Sequence, residues 1–146
     1  MLSEKFASIK SDGVEYALPS ENKTVAGLTV TEQYRECPGD SVLYDWTYRF
    51  TNDSGAPSGM LTEMYGLDYT FPLDADKALV MTTLRGDDWT EESFRKTVFD
   101  IAVGDTVERR PAGGRSSDTT AFPYFDLSWE GGCLIVGIGW SGYWKY

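Results

Sequence analysis

The sequence predicts an all-β fold, an antiparallel β-sandwich of roughly seven to nine strands. Three observations predict it. Aromatic residues make up 14% of the chain, and rings pack well on pleated surfaces. Alternation of period two runs through residues 42–50 and resumes at Leu61. No segment sustains a helical period over about ten residues, and turn-rich breaks recur throughout. At 146 residues the chain has the size of one domain, and a unit this long buries about two thirds of its surface without a metal or disulfide.

The elements follow in chain order. Residues 14–18 and 28–34 are two weak strand candidates. In residues 42–50, Val42, Tyr44, Trp46, Tyr48 and Phe50 share one side, with Leu43, Asp45, Thr47 and Arg49 opposite. Residues 51–59 are all Thr, Asn, Asp, Ser, Gly, Ala or Pro and read as a loop. Leu61, Glu63, Tyr65, Leu67, Tyr69 and Phe71 then share a face. Glu63 interrupts it, which suits an edge, and Gly66 suits a bulge. Residues 72–77 form a turn, 78–84 a short strand, and 85–92 a polar loop holding Trp89. Residues 90–99 have a helical reading, with Thr90 as cap, but Thr97, Val98 and Phe99 favour strand. Gly104 and Asp105 turn the chain, and 111–118 form a second loop. The last unit reads as a hairpin: 122–129 in, Glu130-Gly131-Gly132 turning, 133–140 out. Both faces of 133–140 carry apolar residues, and Gly137 and Gly139 leave one face nearly flat. Strands 42–50 and 134–140 are expected among the most buried.

Composition excludes several functions. Lys and Arg number 13 against 23 Asp and Glu, a net charge of -10; such a chain repels phosphate backbones, so nucleic acid is no expected partner. With no histidine, Ser-His-Asp and Cys-His nucleophiles and His-based zinc sites are excluded. Two cysteines, Cys37 and Cys133, either pair or remain buried thiols. No apolar core of a signal peptide stands in residues 1–20 and no run approaches a membrane span. A cytoplasmic location follows, with a secreted longer parent as the alternative. Sequons at Asn22-Lys23-Thr24 and Asn52-Asp53-Ser54 matter only on a secreted chain.

Motifs for cofactors and metals fall short. Asp74-Ala75-Asp76 lacks the remaining oxygens of a calcium loop and reads as a solvated turn. Gly139-Trp140-Ser141-Gly142-Tyr143 has neither the second Gly nor the His of a nucleophile elbow. Gly113-Gly114-Arg115-Ser116-Ser117 lacks the Lys and the following helix of a phosphate loop. No cofactor or metal is expected. Sugar pockets combine a ring with carboxylate, amide or guanidinium partners. Asp87-Asp88-Trp89 and Trp140-Ser141-Gly142-Tyr143-Trp144 offer that mixture; ring-to-ring core packing is the competing account of both.

Over residues 42–144 the chain resembles the N-terminal β-domain of bacterial α-galactosidases of glycoside hydrolase family 36, the melibiase-like enzymes. The matching stretches are Tyr48-Arg49-Phe50-Thr51-Asn52, Leu67-Asp68-Tyr69-Thr70-Phe71 and Arg85-Gly86-Asp87-Asp88-Trp89. They continue as Gly113-Gly114-Arg115-Ser116-Ser117, Phe122-Pro123-Tyr124-Phe125-Asp126-Leu127, Gly131-Gly132-Cys133-Leu134 and Gly139-Trp140-Ser141-Gly142-Tyr143-Trp144. Tyr143 stands where the family has Gln.

The resemblance implies a supersandwich of galactose-mutarotase type, packed on a (β/α)8 barrel. In the family, that barrel carries the two catalytic Asp residues of a retaining mechanism, and neither has a counterpart here. Residues 1–146 are thus expected to be one β-domain, the N-terminal part of a longer glycosidase, inactive alone. Its implied jobs are bracing the barrel, shaping the pocket mouth and making homo-oligomer contacts, with α-galactosides bound by the full-length parent. An autonomous carbohydrate-binding module and a purely structural β-domain are the alternatives. Asp87, Asp88 and Trp89 are the expected substrate contacts. Arg115, Ser116, Ser117, Asp126, Trp140 and Trp144 are expected to hold loops, with Arg115 paired to Asp126.

Overall fold

The computed structural model describes residues 7–18, 24–39, 43–74 and 76–146. Val42, Ala75, and Asn22 with Lys23 of the first sequon lie outside the described residues. Among the described residues every regular element is a strand, and the strands form three antiparallel sheets. The all-β expectation is borne out. The chain divides into two compact units, Met1–Phe71 and Pro72–Tyr146.

The first unit contains β1 (Ala7–Ser11), β2 (Val14–Leu18), β3 (Thr24–Val25), β4 (Leu28–Cys37), β5 (Leu43–Thr51) and β6 (Leu61–Tyr65). One sheet has the order β2-β1-β6 and the other β3-β4-β5. Strands β1 and β3 go beyond the sequence expectation and bring the total among the described residues to ten. Each opens a hairpin with a two-residue loop. Ser11 pairs with Val14, and Asp12 and Gly13 between them have φ of 49° and 80°. Val25 pairs with Leu28 around Ala26 and Gly27, at 53° and 78°. Positive φ at both loop positions gives the turn twist that matches paired strands. Asp12-Gly13 was therefore the available sequence signal for β1.

The core of this unit gathers Ala7, Ile9, Leu18, Val25 and Val30, with Tyr16, Tyr48, Phe50 and Leu61 packed against it. Strand β5 keeps the predicted alternation: Tyr44, Trp46, Tyr48 and Phe50 are half-buried, and Asp45, Thr47 and Arg49 are exposed. It is not among the most buried strands, because it is a sheet edge. The strand after Leu61 lasts only to Tyr65, and the register shift falls not at Gly66 but at Thr62, which is the extra residue between the pairs Lys10–Glu63 and Ser11–Leu61. Glu63 does lie on an edge strand, where it accepts a 2.7 Å bond from Lys10 Nζ.

The second unit contains β7 (Leu79–Leu84), β8 (Lys96–Ile101), β9 (Tyr124–Trp129) and β10 (Gly132–Gly137), in the order β10-β9-β7-β8. Residues 91–94 make a turn rather than a helix, and β8 begins at Lys96. Register places Leu79, Met81, Thr83, Thr97, Phe99, Ile101, Phe125 and Leu127 on one face. The returning C-terminal segment covers part of it. The Tyr146 ring lies 4.4 Å from that of Phe125, and the Trp144 ring stacks on Tyr146 at 5.3 Å. Pro111, Ala121 and Trp144 are buried there.

Strand β10 corrects the sequence expectation. It ends at Gly137, it is an edge strand, and Ile135 and Cys133 are exposed. Two-sided apolarity arises here without burial. On the flat face the Tyr124 ring lies over Gly137, 3.0 Å from where a Cβ would stand, and Gly139 is open; on the opposite face the Trp129 indole lies over Gly132 at the same distance. Both cysteines are free thiols.

Candidate functional site

Two loops of the second unit meet beyond the end of β7. Leu84 accepts a bond from Phe122 N (3.0 Å), and Arg85 Nε donates to Thr119 O (2.9 Å). Gly86 lies directly against Ser117 and Asp118. A Cβ there would stand 2.7 Å from Asp118 N and nearer still to Asp118 O, so only glycine fits. The Arg-Gly-Asp-Asp-Trp loop and the Gly-Arg-Ser-Ser loop are thus one assembly, which their separation in sequence does not disclose.

Within the first loop both carboxylates bond to the loop's own groups, with Asp88 half-buried and Asp87 exposed. Asp87 Oδ1 accepts from Trp89 N (3.0 Å) and Ser93 Oγ (2.9 Å). Asp88 Oδ1 accepts from Thr90 Oγ1 (2.6 Å), Thr90 N (3.2 Å) and Ser93 Oγ (3.0 Å), while its Oδ2 takes Arg85 Nη2 at 2.7 Å. Ser93 has one hydroxyl proton, so it serves Asp87 or Asp88 but not both at once. The Thr90 hydroxyl first, then Ser93 and the Arg85 charge, hold the Asp88 carboxyl below the usual carboxylate range against the opposing effect of burial. This network fixes Trp89 at φ 62°, with 94% of its surface exposed.

The second loop is held differently from the expectation. Arg115 is exposed and makes no ion pair among the described residues. Asp126 lies on the other face of β9 and accepts from Ser128 Oγ (2.9 Å). Arg115 therefore does not lock the loop through Asp126; the lock is Asp118, a residue the sequence reading did not select. Its carboxylate accepts from Gly113 N (2.6 Å), Thr120 N (2.8 Å), Thr120 Oγ1 (2.6 Å) and Ala121 N (3.3 Å). Burial alone would raise its pKa; these bonds outweigh it and bring the group down to about 2.

Ser116 is engaged through its main-chain carbonyl and Ser117 through its hydroxyl. Ser116 O accepts from Trp144 Nε1 (2.7 Å), and Ser117 meets Gly86. Trp144 is 6% exposed, a packed ring, whereas Trp140 is 63% exposed. Tyr143 is half exposed, and its hydroxyl accepts from Arg110 Nη1 at 3.3 Å.

Among the described residues no group of three or more acidic or cysteine side chains could hold a metal ion, and no helix is long and apolar enough to cross a membrane. No protein-family model, curated protein or solved structure matches the chain. The likeness to glycoside hydrolase family 36 rests on the motifs alone.

Proposed function

We propose that this chain is a non-catalytic accessory β-domain of an α-galactosidase-like glycoside hydrolase, with the 85–94 loop presenting Trp89 to sugar at the mouth of a catalytic barrel. The observation that carries the reading is the exposure of Trp89. A large ring is held out of the core, in an unfavourable backbone conformation, by two carboxylates and a serine. Such a ring offers a stacking face for the C–H side of a sugar. Asp87 and Asp88 share Ser93 and hold the loop, which supports positioning roles for both rather than a nucleophile and acid pair.

The fold expectation travels with this reading: an antiparallel sandwich of the galactose-mutarotase-like supersandwich. So does a homo-oligomer, which the open edges of β8 and β10, with Val98 and Ile135 exposed, would accommodate. Cytoplasmic residence agrees with two free thiols.

Two measurements test it. The coding region beyond the Tyr146 codon is read for a barrel with Asp at two strand ends; a reading frame without one overturns the accessory role. The chain itself is titrated with methyl α-galactoside while the indole signal of Trp89 is followed by NMR. A saturable shift supports sugar contact, and in the absence of a barrel it marks an autonomous carbohydrate-binding module. No response and no barrel would leave a purely structural β-domain.

A further inference from the structure

The covered face of the second sheet opens into a concavity of about 300 Å³, lined by Thr83, Leu84, Arg85, Thr97, Arg109, Thr119 and Thr120. Its lining contains two guanidinium groups, four threonines and no carboxylate, in a chain of net charge -10.

The two arginines differ. Arg85 is already matched: its Nε is on Thr119 O, and its Nη atoms face Asp88 at 2.7 Å and Glu92 at 3.7 Å. Arg109 makes no ion pair and no side-chain hydrogen bond among the described residues. Its guanidinium lies 4.9 Å from the Phe99 ring centre. Two backbone bonds with Tyr146, at 2.8 and 3.1 Å, fix its main chain. A guanidinium carries five N–H donors in a fixed fork and keeps its charge.

Thr83 and Thr97 are direct cross-strand partners. The hydroxyl of Tyr146 is buried without a hydrogen bond of good geometry, and the polar groups that bear on it are Arg109 and Thr83. The lining thus divides: Arg85 and Thr120 are already engaged, with Asp88 and Asp118, whereas Arg109 has no ion pair among the described residues and faces the same concavity as Thr97 and Thr119.

We propose that this concavity binds a small oxyanion, with Arg109 as the charged fork and Thr97 and Thr119 as hydroxyl partners. The shared chemistry is a carboxylate, phosphate or sulfate group presenting two or more acceptor oxygens. The proposal does not rest on the sugar reading, and the two places share only Arg85, which lines the concavity and pairs with Asp88.

The test is an NMR titration of the full chain with inorganic phosphate, sulfate and glucuronate in separate arms, with glucose as the neutral control. The arms distinguish a free inorganic ion from a sugar acid. Saturable shifts at the Thr97 and Thr119 amides are expected with at least one anion and none with glucose. Arg109→Gln should weaken binding at least about tenfold, and Arg109→Lys, which keeps charge without the fork, by less. Thr97→Ile, which fills the concavity and leaves Arg109 in place, should abolish binding and serves if Arg109→Gln does not fold. No saturable shift with any anion overturns the proposal, as does equal affinity in a folded Arg109→Gln or Thr97→Ile protein.

Discussion

Trp89 has the wrong backbone conformation for a bulky side chain. Left-handed φ costs a non-glycine residue about 1–2 kcal/mol, and at 94% exposure the ring recovers almost nothing by packing. Trp89→Gly should therefore raise the chemical-denaturation midpoint, by an amount worth about 1 kcal/mol. A fall of that size would show instead that the indole props its own loop. Asp118 presents the opposite case, a buried carboxylate whose bonds are all spent on loop backbone and Thr120. Its pKa falls from 3.8 in the unfolded chain to about 2 on folding. Stability from this group is therefore complete above the unfolded value and is lost as pH drops from about 4 toward 2. Asp118→Ala should cost about 2–4 kcal/mol at neutral pH by stranding several donors. It should also flatten the acid limb of a melting-temperature profile; an unchanged limb would place the acid sensitivity elsewhere. Sequence could point to Trp89, a ring in a polar loop. It could not point to Asp118, whose partners are backbone groups assembled only when the loop closes.

At the level of strands, period-two alternation revealed which side chains share a face, and β5 keeps that pattern position by position. Alternation says nothing about which strand lies between which others. Thus β5 and β10, expected among the most buried strands, are edges, while the inconspicuous β1 is central to its sheet. In β1 a single large apolar side chain, Ile9, is fully buried between β2 and β6. Removing it should be more damaging than its setting of Ala, Ser and Lys suggests. Ile9→Ala is expected to cost about 2–5 kcal/mol in urea unfolding, and Ile135→Ala on exposed β10 under about 1 kcal/mol. Equal effects would contradict the placement of the core. The hairpins were partly legible. Asp12-Gly13 has the chemistry its turn needs, whereas Ala26 occupies a position of positive φ with no sequence mark of it.

For the molecule as a whole, the lack of histidine closes His-dependent nucleophiles and His-based zinc sites to this chain before any strand is placed. The division into two units was not legible, since Pro72 looks like any other turn residue. Nor was the convergence of Arg109 with Thr83 and Thr97, which come from three separate segments. The close fit of Gly86 against Asp118 acts on the dynamics of the second unit as well as on its packing. Neither loop has room to swing while the other stays in place, so the 84–95 and 112–122 segments should open as one event. Amide hydrogen exchange is the natural gauge of this. The amides of Arg85, Gly113, Thr120 and Phe122 should share one opening free energy, and Gly86→Ala should speed all four together. Exchange that accelerated in one segment alone would mean two independent doors; a common rate means a single one, with a glycine as its hinge pin.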